Sequence, residues 1–169
     1  MGHMKMTETK KSEETWHIRA AVAGDAPEIY RLIRELAEFE NGLDRLENTP
    51  ERLRTDGFGE NPLFDCFVAE CSEENALIGI SLTYFRYSTW KGRCLYLEDL
   101  IVTADRRGEG IGKALLERTV AYARETESRL VVWQVLDWNT GAIEFYRKFG
   151  AELQPEWVNC VLPSERYPV

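Results

Sequence analysis

Two neighbouring acids, Glu98 and Asp99, stand inside an otherwise apolar stretch, Leu95-Tyr96-Leu97-Glu98-Asp99-Leu100-Ile101-Val102. Burying a carboxylate is costly unless it is paired or used, so this pair calls for a cation to hold or a proton to move. A structural salt bridge to an arginine would satisfy the acids without any chemistry. Neighbours in a strand face opposite sides, which groups Glu98 with Tyr96, Leu100 and Val102, and Asp99 with Leu97 and Ile101. The two acids can serve one site only if the strand bulges or ends beside a cleft.

Just downstream runs a basic, glycine-rich turn, Arg106-Arg107-Gly108-Glu109-Gly110-Ile111-Gly112, with a predicted helix directly behind it. Glycines at this spacing let the backbone approach a ligand, and the free N–H groups of a helix start attract anions. The turn is not a P-loop, because Lys113 is followed by Ala114 rather than Ser or Thr, and its glycines are too tightly spaced for a dinucleotide fingerprint. Such a turn can serve structure alone. Two arginines beside three alternate glycines favour a phosphate. The expectation is a pyrophosphate-binding helix N-terminus with a carboxylate pair one strand upstream.

The elements that must position these groups can be read in order. Trp16–Ala20 alternates as a first strand. Asp25 is expected to cap a helix, with Glu28 completing a capping box, and Ile29, Leu32, Ile33 and Leu36 form its apolar face. Glu40 continues that stripe by helical spacing, or sits in water at a frayed end. A short helix starts at Thr49-Pro50. Strands follow at 64–71, 77–87 and 93–102, joined by short turns as an antiparallel meander. A helix over 110–126, an apolar strand over 129–136 placed centrally in the sheet, a helix over 140–149 capped by Asn139 and closed by Gly150, and a final strand over 157–162 complete the series. The order β-α-α-β-β-β-α-β-α-β predicts an α/β domain, a mixed central sheet flanked by helices.

With 169 residues the chain can bury a core as one domain, and its formal charge of −8 argues against wholesale nucleic-acid binding while suiting a small cationic partner. Residues 1–15 read as a tag remnant and a disordered tail, and 16–169 as a single domain. No apolar run is long enough for a membrane span. Cys66, Cys71, Cys94 and Cys160 lack CxxC pairing, and the apolar surroundings of most of them favour reduced thiols and a cytoplasmic setting. With only His3 and His17 in the chain, no metal site is expected and a Cys94 nucleophile lacks a histidine partner. Tyr146 lies on the core-facing stripe of its helix, where packing alone would explain it. Trp90, in a hairpin turn, is a large exposed aromatic of the kind that contacts ligands.

Arg107-Gly108-Glu109-Gly110-Ile111-Gly112 resembles the (Q/R)xxGx(G/A) acetyl-CoA motif of the GNAT superfamily of N-acetyltransferases, and Asn139…Ala142…Phe145-Tyr146…Phe149-Gly150 is similar to its second motif. LIRELAEFE, DGFGENP, YSTWKGR, YLED and VLDWN resemble its spermidine/spermine (diamine) and thialysine N-acetyltransferase branch, and the likeness runs from about Ile18 to Trp157. The resemblance implies a GNAT fold, in which a splayed parallel strand pair holds acetyl-CoA. Backbone groups of Leu100, Ile101 and Val102 would meet the acetyl-pantetheine arm. Arg107, Gly108, Glu109, Gly110, Ile111, Gly112 and Lys113 would cradle the pyrophosphate, and Asn139 would hold the far arm. Glu98 matches the family's general base and Tyr146 its general acid. Phe39, Glu40, Trp90 and Asp99 match the amine pocket, Phe39 standing where some polyamine-acetylating members have tyrosine. The implied reaction is direct acetyl transfer to a primary amine of a small diamine, polyamine or lysine-like molecule through a tetrahedral intermediate, in a homodimer. Acetylation of protein lysines or N-termini, and a non-catalytic acetyl-CoA sensor, are the alternatives.

Overall fold

The computed structural model describes residues 15–168, so the expectations for the first fourteen positions lie outside the described residues. The chain divides into two compact units, Met1–Trp133 and Gln134–Val169.

The first unit is a five-stranded sheet in the order β1-β2-β3-β4-β5. Its strands are β1 (Trp16–Ala20), β2 (Asp65–Cys71), β3 (Ala76–Ser88), β4 (Gly92–Val102) and β5 (Val131–Val132). All neighbouring pairs are antiparallel except β4 and β5, which run parallel. Helices α1 (Ala26–Phe39) and α2 (Pro50–Phe58) cover one face, where Ile29, Leu32 and Leu53 join Val68, Ile80, Leu82 and Ile101. Helix α3 (Ile111–Glu125) covers the other, where Ile111 and Leu115 join Phe67, Ala69 and Ile78. This is the expected α/β class, and the 64–102 meander forms with the expected pairing.

Two close contacts fix where α3 begins. A Cβ on Gly79 would lie 2.8 Å from the Ile101 carbonyl oxygen, 3.1 Å from Leu115 and 3.4 Å from Ile111, so only glycine lets the helix start press on the sheet. On the other face, the Glu35 carboxylate of α1 accepts from Thr103 Oγ1 at 2.9 Å and from the Ala104 N–H at 2.8 Å. It thereby ties α1 to the turn between β4 and α3. Charge-assisted bonds of this kind are the stronger ones.

Three local expectations are corrected. Asp25 occupies the N-cap position of α1 but makes no capping bond from its side chain. Arg19 donates to both of its oxygens, at 2.7 and 2.9 Å, and holds the carboxyl below its ordinary range. The same carboxylate also accepts the Val22 N–H at 2.8 Å, so its lone pairs are spent on the β1–α1 junction rather than on the helix start. The apolar run over 129–136 is a strand only at Val131–Val132, and β5 is an edge strand rather than a central one, because the ladder to β4 ends after two residue pairs. Residues 157–162 form no strand, and Trp157, Val158 and Val161 are exposed. An apolar run becomes a strand only where a partner strand takes up its backbone groups.

The second unit carries α4 (Thr140–Lys148). As expected, Asn139 caps it, accepting from the Ala142 N–H at 3.2 Å, and Gly150 follows in the left-handed region at φ 96°.

Candidate active site

The sheet and α3 build a cradle at the end of β4. Hydrogen bonding between β4 and β5 pairs Leu95 with Val131 and Tyr96 with Val132 and goes no further. From Leu97 to Val102, β4 is laddered only to β3 among the described residues. Its other edge thus offers backbone donors and acceptors at the point where the parallel pair parts. The turn beyond it bends through Gly108 at φ 87° and Gly110 at φ 85°, a conformation that disfavours any side chain. No atom stands within 4 Å of where a Cβ would sit on either glycine. Gly110 is the N-cap residue of α3, whose first N–H groups face outward beside it.

Side chains of the turn are already engaged. Arg106 pairs with Glu109 at 2.9 Å, and Lys113 pairs with Glu117 at 2.8 Å. Arg107 donates through Nε to the Val102 carbonyl at 3.0 Å, its guanidinium 5.2 Å from the centre of the Phe39 ring. Gly112 packs toward Val102, and Ile111 is buried beneath the turn.

The two acids meet through a β-bulge. Leu82 pairs with Asp99 and the next residue of β3, Thr83, pairs with Leu97, which leaves Glu98 as the extra residue. Regular alternation would separate the acids. The bulge instead shifts the pattern by one, so Tyr96, Asp99 and Ile101 share the α1/α2 face while Leu97, Leu100 and Val102 face α3. The expected grouping of Glu98 with Leu100 and Val102 is corrected accordingly.

Around the bulge the charges are felt by several groups at once. Asp99 is half-buried, and desolvation pushes its carboxyl up to about 7, with the charges of Glu98 and Glu40 adding to it. Glu40 follows the last residue of α1, and burial raises its carboxyl too, although Arg45 works in the other direction. Tyr84, opposite Tyr96 in the ladder, has its hydroxyl pushed up to about 12, first by burial and then by Glu98. The Tyr84 and Tyr96 rings stack with centres 5.1 Å apart. Tyr96 was grouped with Glu98 from the sequence, and the bulge keeps that grouping while bringing Asp99 to the face that Tyr96 shares with Tyr84. The only available signal was the alternation of Tyr84 with Leu82 along β3.

The other candidates belong to other elements. Trp90 is 84% exposed at the tip of the β3–β4 hairpin. The seven steps from Gly92 to Asp99 put it roughly 20 Å of strand away from the acids. Phe39 ends α1, with the Arg107 guanidinium 5.2 Å from the centre of its ring. Asn139 and Tyr146 belong to the second unit, where Asn139 caps α4 and Tyr146 is buried with its ring 5.3 Å from that of Phe145.

The raised Asp99 carboxyl has a consequence for stability. Unfolded aspartate titrates near 3.9, so between about 4 and about 7 the folded protein binds the extra proton. Stability therefore falls as pH rises through that window and levels off above it. Asp99→Asn is expected to raise Tm relative to the parent more at about pH 8 than at about pH 5. Equal shifts at the two pH values would show that Asp99 is not desolvated.

Residues 27–151 match the sequence model of the acetyltransferase (GNAT) family. A thialysine N-epsilon-acetyltransferase of Sus scrofa is 43% identical over 140 residues, which is 79% of this chain and 82% of that protein. Human spermidine/spermine N(1)-acetyltransferase-like protein 1 is 43% identical over 145 residues, covering 83% of this chain and 21% of the longer human protein. Among solved structures, an aminoglycoside acetyltransferase from an uncultured soil metagenomic sample shares the fold, with a TM-score of 0.74 at 24% identity over 89% of this chain and 99% of the other.

Proposed function

Because the chain belongs to the acetyltransferase (GNAT) family, we propose that it moves an acetyl group directly from acetyl-CoA to a primary amine of a small diamine, polyamine or lysine-like molecule. One observation carries this reading, the bulge that sets Glu98 beside Asp99 on one face, next to the open edge of β4. That arrangement gives two adjacent carboxylates a shared purpose.

The cradle fits the cosubstrate. Left-handed Gly108 and Gly110 leave their surroundings open, and Arg107 and the start of α3 supply positive charge and N–H groups for a pyrophosphate. Leu100, Ile101 and Val102 would receive the pantetheine arm along the open edge, and Asn139 the far arm. When bound, acetyl-CoA supplies an acyl group activated as a thioester.

The chain's own residues manage the protons. A primary amine resembles lysine, with a pKa of about 10.4, and arrives as an ammonium ion at neutral pH. Glu98 takes its first proton, directly or through water, and exposes the nitrogen lone pair for attack on the carbonyl carbon. The C–N bond forms and the C–S bond breaks. The second nitrogen proton leaves to water as the amide forms, and the departing thiolate takes up a proton from Tyr146, the role that the family resemblance implies for it, which water then restores. Backbone N–H groups of the open β4 edge are placed to stabilise negative charge on the carbonyl oxygen. Asp99 and Glu40 hold a second cationic nitrogen, at an attraction strengthened by partial burial. The names of the relatives, thialysine and spermidine/spermine acetyltransferases, support an amine of this kind.

A thiol-release assay with acetyl-CoA tests the reading against a panel of free amines and a lysine-containing peptide. CoA release that depends on a free amine is the expected result. Turnover with the peptide alone would replace it by protein acetylation, and tight acetyl-CoA binding without any turnover would leave a sensor.

A further inference from the structure

The glycine turn carries two neighbouring arginines, and the structure gives them different partners. Arg107 is exposed, and among the described residues it pairs with no carboxylate. Arg106 has a side chain only 19% exposed, and each of its guanidinium nitrogens has a partner. Its Nε and Nη2 donate to the two oxygens of Glu109, at 2.9 and 3.1 Å. Nη1 donates to Cys71 Sγ at 3.6 Å, and Nη2 also reaches Thr15 Oγ1 at 3.4 Å. A two-pronged bond between guanidinium and carboxylate fixes geometry as well as charge.

One end of this clasp is fixed by the sheet. Cys71 ends β2, is 2% exposed and pairs with Trp16 in the ladder, and the Ser72 N–H donates to the Thr15 carbonyl at 2.8 Å. The other end is soft. Glu109 stands between Gly108 and Gly110, at φ 87° and 85°. Glycine loses more backbone freedom on ordering than any other residue, so a turn holding two of them is costly to arrange. Arg106 joins the two ends, closing residues 106–109 into a ring through the Glu109 side chain. Glu35 of α1 holds the two residues just before, Thr103 and Ala104. The turn is therefore tied to α1 at its start and to the ends of β1 and β2 through Arg106.

We propose that Arg106 is a positioning residue, which preorganises the glycine turn for the cosubstrate's pyrophosphate through Glu109 and leaves the phosphate contacts to Arg107 and the start of α3. The proposal rests on the acetyl-transfer reading above and gives the two arginines of the turn separate roles. A turn already held in its binding form spares part of the ordering cost of binding. Glu109 makes the roles separable, because the alternatives carry opposite signs. If charge alone mattered, removing the Glu109 carboxylate would strengthen the binding of an anion and free Arg106 for the phosphates. If Glu109 is the handle by which Arg106 holds the turn, removing it weakens binding.

Calorimetric titration with acetyl-CoA reads that sign. Glu109→Ala should bind about three- to tenfold more weakly than the parent. Arg106→Lys keeps the charge but loses the fork, and should fall by a similar factor. The double variant should lose no more than about twofold beyond either single change, since both break the same clasp. In the protein without acetyl-CoA, amide hydrogen exchange over residues 107–112 should quicken in both variants, while Tm hardly moves. In steady-state assays the loss should appear in KM for acetyl-CoA rather than in kcat or in KM for the amine. Tighter binding by Glu109→Ala, full affinity in Arg106→Lys, or unaltered exchange over the turn overturns the proposal. A parent that binds and transfers acetyl normally, with variants that match it, overturns the proposal alone. A parent that does not bind acetyl-CoA overturns the acetyl-transfer reading and the proposal with it.

Discussion

Replacing Glu98 by glutamine should lower kcat/KM toward an amine by about 10²–10⁴-fold at neutral pH, the usual contribution of a general base. Acetyl-CoA affinity should hardly change, because the cradle at Gly108 and Gly110 lies beyond the end of β4 while Glu98 sits in its bulge. Glutamine keeps the size of the side chain, so the bulge and the stacking of Tyr84 on Tyr96 persist. The loss also has a signature in pH. Each unit of rise toward the amine's own pKa of about 10.4 multiplies the free amine roughly tenfold, so the deficit of the variant should narrow as pH increases. Rates for both proteins across pH, with cosubstrate affinity measured separately by calorimetry, check the prediction. An undiminished rate removes Glu98 from the mechanism. A deficit that stays constant with pH would assign it to substrate positioning instead.

A second large effect is expected at Gly79, which touches no candidate ligand. Gly79→Val places its Cβ 2.8 Å from the Ile101 carbonyl and close to Leu115 and Ile111, and backbone on one side and packed helix on the other leave little room to yield. Overpacking of this kind costs about 1–3 kcal/mol, equivalent to a fall in Tm of about 2–12 °C for a chain of this size. Because Ile111 is the first residue of α3, the displaced element is the one that ends in the glycine turn. KM for acetyl-CoA should therefore rise more than KM for the amine. Normal stability would show that α3 can retreat freely. Lost stability with both KM values intact would show that the cradle does not depend on that contact.

Gly79 marks a boundary between what the residues announce and what only packing reveals. Thr49 and Asn139 were readable as caps because a cap needs nothing beyond its own turn, and both accept the expected N–H, from Arg52 and Ala142. Asp25 looked equally local but is held by Arg19 across the β1–α1 junction, a partner that spacing does not reveal. The sheet class was readable because alternation and short turns dictate a meander. The extent of β5 was not, since an apolar run does not say how long its neighbour accompanies it. Residues 157–162 show the same ambiguity.

At the site, residue types were plain and their faces were not. The acids and the glycine turn stand out by composition alone. Whether Glu98 and Asp99 could cooperate depended on a bulge, which turns on how Leu82 and Thr83 pair with β4 and has no local signature. For the same reason Tyr84 went unremarked and Tyr96 was only a neighbour of Glu98, although each was visible as a residue type. Glu35 was an unremarkable helix acid until Thr103 and Ala104 were found bound to it.

The bulge also makes substitution and deletion at position 98 different kinds of event. A substitution changes charge and leaves the strand's path alone. Deleting the residue would restore an unbroken ladder, because Leu97 and Asp99 already pair with neighbouring residues of β3, Thr83 and Leu82. Leu95 and Leu97, both fully buried, would keep their face, and Cys94 and Tyr96 theirs. An evolving lineage could therefore trade the acid for another side chain in one step, keeping a folded protein with altered chemistry. It could also lose the residue while keeping both layers of core, so the extra residue of β4 should last only as long as the acid is needed.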